Sequence, residues 1–270
     1  EYCDRINKTT RTFKPTVTNN YMLQDEVERL IAQNRLYFEE AEGGLLIYDD
    51  EVDYDLLYYY WNTGYAFPAC KVGKLVATKI IYRKEKKESQ TIMTDLLTNA
   101  GFRVDCIERE LLKTKEADLG QIGDVSKQMF EKGGLKIVHV DEKLIKGYRS
   151  ILAGDDKIRC YEIPYLTDEE IIHEGREGRI FCVINQDDEV VAIRTFVNKN
   201  MLTPYIRIRK EYRMRYGIAV VLNEYTDKYA QEHGWKYSGW IAEDNPQSIR
   251  FHLKYGREWG DRYMEYWVSD

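Results

Sequence analysis

Residues 203–258 read TPYIRIRK EYRMRYGIA VVLNEYTDKYAQEHGWK YSGWIAE DNPQSIRFHLKYG RE, and this stretch decides the fold. It parses as an extended segment, a turn, a long helix from Ile218, a second extended segment and a short helix. The turn carries Arg209, Lys210, Arg213 and Arg215 and ends on Gly217. N–H groups at a helix N-terminus lack intrahelical partners and sit at the positive end of the dipole, so this turn predicts an anion site. At Gly217 the missing side chain would let a ligand approach the backbone.

Upstream, residues 142–152 predict one helix, and Thr167 predicts the cap of another, with Glu170 at the capping-box position and an end near Gly175. RIFCVIN (179–185), VVAIRTFV (190–197) and PYIRIRK (204–210) then predict three strands, the first two joined by the polar turn QDDE. The order is two helices, three strands, then the opening stretch.

The first part of the chain repeats some of this order. Residues 1–17 are polar and aperiodic and predict an arm, while Leu23, Val27, Leu30 and Ile31 mark an amphipathic helix over 22–33. Runs at 36–40, 45–49 and 56–61 predict an antiparallel meander in which Tyr58, Tyr59, Tyr60 and Trp61 pack on both faces. A strand at 75–83, a helix with Ile92, Leu96 and Leu97 inward and Gly101 at its end, and a strand at 102–112 follow. The glycine-rich segment 113–141 predicts a boundary, part linker and part short helix or strand, between units 1–130 and 131–270.

Composition narrows the functional classes. Of 270 residues 43% are hydrophobic, enough for one large core or two modest ones. A formal net charge of −6 argues against a nucleic-acid partner and confines any anion site to a local patch. The five cysteines are odd in number, widely spaced and outside any metal-ligand pattern, so reduced thiols, no metal and a cytoplasmic setting are expected. No apolar run reaches membrane-spanning length. The sequence opens on Glu1 rather than Met, leaving open that it is a piece of something longer.

Asn245, Pro246, Ser248, Ile249, Phe251, Lys254 and Gly256 match, in spacing throughout, the run N-P-x-S-I-x-F-Y-x-K-x-G-F, and here the sequence resembles the GNAT superfamily of acyl-CoA-dependent N-acyltransferases. The resemblance covers about 130 residues, and the first half resembles a degenerate second copy without a basic turn opening a long helix. The implied fold class is α+β, with two mixed, mostly antiparallel sheets flanked by helices in tandem. The implied activity is transfer of an acyl group from acetyl-CoA or another acyl-CoA to a small-molecule or peptide amine. Ile208 and Arg209 would lie along the pantetheine arm. The turn Arg213, Arg215, Tyr216, Gly217, Ile218 and Ala219 would receive the pyrophosphate, and Asn245 with Ser248 would lie near the thioester.

Three positions depart from the pattern. Met214 stands where the family carries Gln or Arg, His252 replaces the tyrosine that protonates the leaving thiolate, and no carboxylate on strand 205–210 offers a base. His252 or Tyr255 is therefore the expected acid, and Glu243 a candidate base beside Asp244, for which helix capping is the competing role. The alternatives are a non-catalytic acyl-CoA-binding or regulatory module, and a transferase drawing on an acyl carrier protein or an aminoacyl-tRNA. Monomer and homodimer both remain open.

Overall fold

The computed structural model describes residues 2–14, 16–69, 74–85, 90–113, 120–154, 159, 161, 166–196, 205–234 and 238–269. The polar N-terminus is not an arm: it forms helix α1 (Tyr2–Thr12) and a short strand β1 (Thr16–Thr18). Tyr2 and Ile6 explain the difference, since both pack on the core of Leu45, Ile47 and Tyr58 and give α1 one apolar face.

Helix α2 (Gln24–Ala32) and the meander β2 (Leu36–Ala41), β3 (Gly44–Asp50) and β4 (Tyr54–Asn62) follow, antiparallel as the punctuation predicts. Tyr58 and Tyr59 are buried on opposite faces of β4, each in its own core. Next come β5 (Leu75–Arg83), α3 (Thr91–Asn99) and β6 (Arg103–Lys113). Met93 and Leu97, not Ile92, turn inward from α3. Ile92 is 52% exposed, because Met93 and Leu97, four residues apart, set the buried face of α3 and leave Ile92 off it.

Segment 113–141 contains helix α4 (Gly120–Lys132) and strand β7 (Lys136–His139). Helices α5 (Ile145–Ala153) and α6 (Asp168–Arg176) come next, the latter with the full capping box of Thr167 and Glu170. Strands β8 (Ile180–Ile184), β9 (Val190–Thr195) and β10 (Tyr205–Ile208), helix α7 (Ile218–Glu232), strand β11 (Ser238–Ala242), helix α8 (Pro246–Lys254) and strand β12 (Arg257–Ser269) complete the chain.

The strands form two sheets. One has the order β10-β9-β8-β7; the other runs β11-β6-β12-β5-β4-β3-β2, with β1 added to β4. The last strand of the chain, β12, is thus inserted between β5 and β6, eight residue pairs deep on β5, and β11 flanks β6. The two ends of the chain share one sheet. Between the halves, Arg29 and Gln33 of α2 donate to Glu170 of α6 at 2.9 and 2.7 Å.

Candidate functional site

β10 and β11 flank α7 in sequence, and each ends its sheet, so each leaves one edge without a partner strand among the described residues. Between them the chain folds Lys210–Tyr212 into a 3-10 turn and then places Met214, Tyr216 and Gly217 at φ of 59°, 55° and 60°. These left-handed residues rotate successive peptides, and the N–H groups of Tyr216, Gly217, Ile218 and Ala219 find no acceptor among the described residues. Val220 and Val221 both donate to the Gly217 carbonyl at 3.0 Å and begin the helix. Four consecutive N–H groups without an acceptor at the start of a 15-residue helix make a cradle of backbone donors at the positive end of the helix dipole, chemistry suited to an anion.

Gly217 has a different local reason from the one the sequence suggests. A Cβ there would lie 2.6 Å from Ser126 Cα, so its bare face is covered by α4 rather than left open to a ligand. Tyr216 packs against Gly133, just past the end of α4, in the same seam. Among the basic residues, Arg213 donates from Nε to the Ile208 carbonyl at 2.9 Å and holds the turn to the strand end. Arg209 anchors that end through its N–H to Val191 at 2.9 Å. Arg215 and Lys210 are exposed, have no carboxylate partner among the described residues, and are cations available to a ligand. Met214 is fully exposed.

Beyond β11, Asn245 caps α8: its Oδ1 accepts from the Ser248 N–H at 3.1 Å, and Pro246 fills the first helical position, where the missing N–H costs nothing. Asp244 does not cap the helix; its Oδ2 accepts from Arg159 at 3.1 Å. Glu243 is exposed and tied by its backbone N–H to Ile107 at 2.9 Å.

α8 points His252 and Tyr255 into a polar cluster that sequence reading passed over. Asn223 of α7, fully buried, accepts from Arg194 of β9 at 3.4 Å and from Arg257 of β12 at 3.3 Å, and Asp227 pairs with Arg257 at 3.6 Å. One asparagine on α7 therefore ties the two sheets together. The available signal was Arg194 itself, an arginine inside the apolar run VVAIRTFV. His252 Nδ1 and the Tyr255 hydroxyl are buried with no hydrogen-bond partner. Burial, reinforced by the charges of Arg257 and Arg194, pushes the His252 imidazole down to about 3, so it is neutral at physiological pH. Burial, with Glu224 and Asp227 adding to it, raises the Tyr255 phenol, which keeps its proton.

The first half has a corresponding fork. β4 and β5 run parallel only as far as Leu57 and Thr78; beyond that point β4 pairs with β1 instead. Asn19, 1% exposed, sits in the fork. It donates to the Leu57 carbonyl (3.1 Å), Thr78 Oγ1 (2.7 Å) and the Lys79 carbonyl (3.2 Å), and accepts from the Tyr59 N–H (2.8 Å). The chain's own N-terminal segment fills that groove.

Two helix-flanked mixed sheets, with a strand-turn-helix cradle running from β10 into α7, make a GNAT-like fold. Three solved structures are similar as folds. A GCN5-related N-acetyltransferase-like protein from Streptococcus suis aligns at a TM-score of 0.52 and 13% identity, covering 99% of this chain and 100% of that one. A GNAT-family structure from Novosphingobium aromaticivorans aligns at 0.50 and 11% identity, covering 89% and 93%. The GCN5-related glucosamine N-acetyltransferase region of a fungal multi-domain GH3 β-N-acetylglucosaminidase aligns at 0.54 and 9% identity, covering 93% of this chain and 38% of that one. No family model and no curated protein matches the sequence. Among the described residues, no group of three His, Cys, Asp or Glu side chains is placed to hold a metal ion, and no helix is long and apolar enough to cross a membrane.

Proposed function

We propose that the chain is an N-acyltransferase that takes an acyl group from acyl-CoA, most simply acetyl-CoA, and passes it to an amine. The observation that carries this reading is the run of free N–H groups from Tyr216 to Ala219 beside the unpaired edge of β10. The cradle would hold the pyrophosphate, with Arg215 as its cation, and the β10 edge would pair with the amides of the pantetheine arm.

In the reaction the amine nitrogen attacks the thioester carbonyl, the C–S bond breaks, the sulfur takes a proton and the nitrogen loses one. Most of the acceleration would come from positioning, with backbone N–H groups polarising the carbonyl. A neutral imidazole is a poor proton donor, so the proton for sulfur is assigned to Tyr255. Glu243, exposed at the end of β11, is the base in this scheme.

Thermal melting of the purified protein with CoA, acetyl-CoA and longer acyl-CoA esters is the test. Ligand at 100 times its dissociation constant should add about 2.7 kcal/mol, and Arg215→Ala should reduce the shift. No shift with any CoA ester would sink the reading. A shift without thiol release across an amine panel would favour a binding module instead.

A further inference from the structure

Helix α4 carries an apolar stripe that faces solvent. Its buried face is Gly123, Ser126 and Phe130, and Phe130 packs with Ile218 and Leu222 of α7. Ile122, Val125 and Met129, by contrast, are 62%, 48% and 42% exposed. At 3.6 residues per turn these three lie within about 60° of one another, along one flank of the helix. Lys132 falls beside Val125 on that flank, whereas Asp124 and Glu131 project roughly 140° away round the helix.

The start of α7 fixes what lies next to that flank. Gly217 sits against Ser126, and Tyr216 packs against Gly133. Further along α7, Glu224 pairs with Lys127 at 3.1 Å, and Lys127 is on the opposite flank of α4 from Met129. The body of α7 therefore leaves over the Lys127 side, and the turn before it lies on the side of Ile122 and Met129. That turn holds Met214, fully exposed, and the exposed cations Lys210 and Arg215. Neither these two nor Lys132 has a carboxylate partner among the described residues, and Glu211 is the single acid of the turn. An apolar strip edged by unpaired cations thus borders the anion cradle.

We propose that this face docks an acidic carrier protein that presents the acyl group on a phosphopantetheine arm. The inference rests on the acyl-transfer reading and names the partner that delivers its donor. One occupant answers three features at once. The arm's phosphate fills the cradle, the carrier's carboxylates meet Lys132, Lys210 and Arg215, and its apolar residues cover Ile122, Val125, Met129 and Met214. CoA alone would fill the cradle and leave the stripe in water. Methionine at two of the four apolar positions suits a surface that repacks against a protein. The amine attacks the carrier-bound thioester carbonyl, the C–S bond breaks, and the pantetheine sulfur gains a proton as the nitrogen loses one.

Titration calorimetry with a purified acyl carrier protein, in its apo, holo and acetylated holo forms, is the test. The holo form should bind at least about tenfold more tightly than the apo form, and high salt should weaken both by about threefold or more. Val125→Asp combined with Met129→Asp should weaken the holo carrier at least about tenfold, while the melting shift with acetyl-CoA stays at the wild-type value. That shift also reports that the variant folds. In the wild-type protein, a zero-length carbodiimide should join Lys132 to the carrier, which decides the matter if the variant does not fold. No binding of the holo carrier, or binding that the double substitution leaves unchanged, would overturn the docking face. So would stripe-dependent sedimentation with phosphatidylglycerol vesicles in the absence of carrier binding, which would give the face to a membrane. A melting shift with CoA esters but no carrier binding refutes the docking face alone, and the loss of both refutes the acyl-transfer reading.

Discussion

His252 on α8 and Tyr255 at its C-terminal cap both feel the buried Arg257, yet their proton chemistry diverges. Above pH about 6.5 His252 is neutral folded and unfolded, so it contributes no pH dependence there. Below that, the unfolded chain takes up a proton that the folded protein, with the group near 3, refuses. Stability should therefore fall with pH by up to about 1.4 kcal/mol per unit between roughly 6.5 and 3, and His252→Gln should flatten that slope. Urea titrations at several pH values check this; a His252 ring proton titrating near 6.5 by NMR would refute it. In turnover, Tyr255→Phe should lower kcat by about 100-fold, while His252→Gln should stay within about threefold of the wild type. Thiol-release kinetics read both, and equal losses would return the imidazole to the acid's role.

Among the elements, β1 is the shortest strand but closes the first fork. Asn19 after it satisfies backbone groups on both diverging strands. Asn19→Ala strands the Tyr59 N–H in the core and should cost about 3 kcal/mol. Denaturant unfolding measures that loss. The increment that CoA adds to the midpoint should be unchanged, because the cradle lies in the second half, between β10 and α7. A lost increment would move the cofactor groove to the first half. The sequence of β1 and α1 gave little warning of this role, since TVTNN is short and polar and its value lies in what it fills.

For the whole molecule, the placement of β12 matters most. A strand of 13 residues that runs between β5 and β6 makes the first sheet depend on the end of the chain. Truncation before Arg257 should abolish cooperative unfolding of the entire protein, not of the second half alone, because β5 and β6 lose their shared neighbour. Circular dichroism and denaturant titration decide this; a first half that still melts cooperatively would show that β12 is dispensable. The tie of Arg194 and Arg257 to Asn223 works in the same direction, joining both sheets through α7.

Local chemistry made much of the fold legible. The capping box at Thr167 and Glu170, the cap at Asn245 with Pro246, the end of α3 at Gly101 and the meander with Tyr58 and Tyr59 on opposite faces are each fixed by groups within a few residues of one another. The order of elements from 142 to 256 follows from the same signals and carries the GNAT-like architecture. What only the tertiary structure decided is pairing across the chain: β12 between β5 and β6, Asn19 in the first fork, Ser126 against Gly217, and the two arginines on Asn223. The physical reason is that such contacts join residues far apart in sequence, through register and burial that no local period encodes. The imidazole of His252 is a histidine like any other in the sequence, and stays neutral down to about pH 3 only where burial in the core and two distant arginines enclose it.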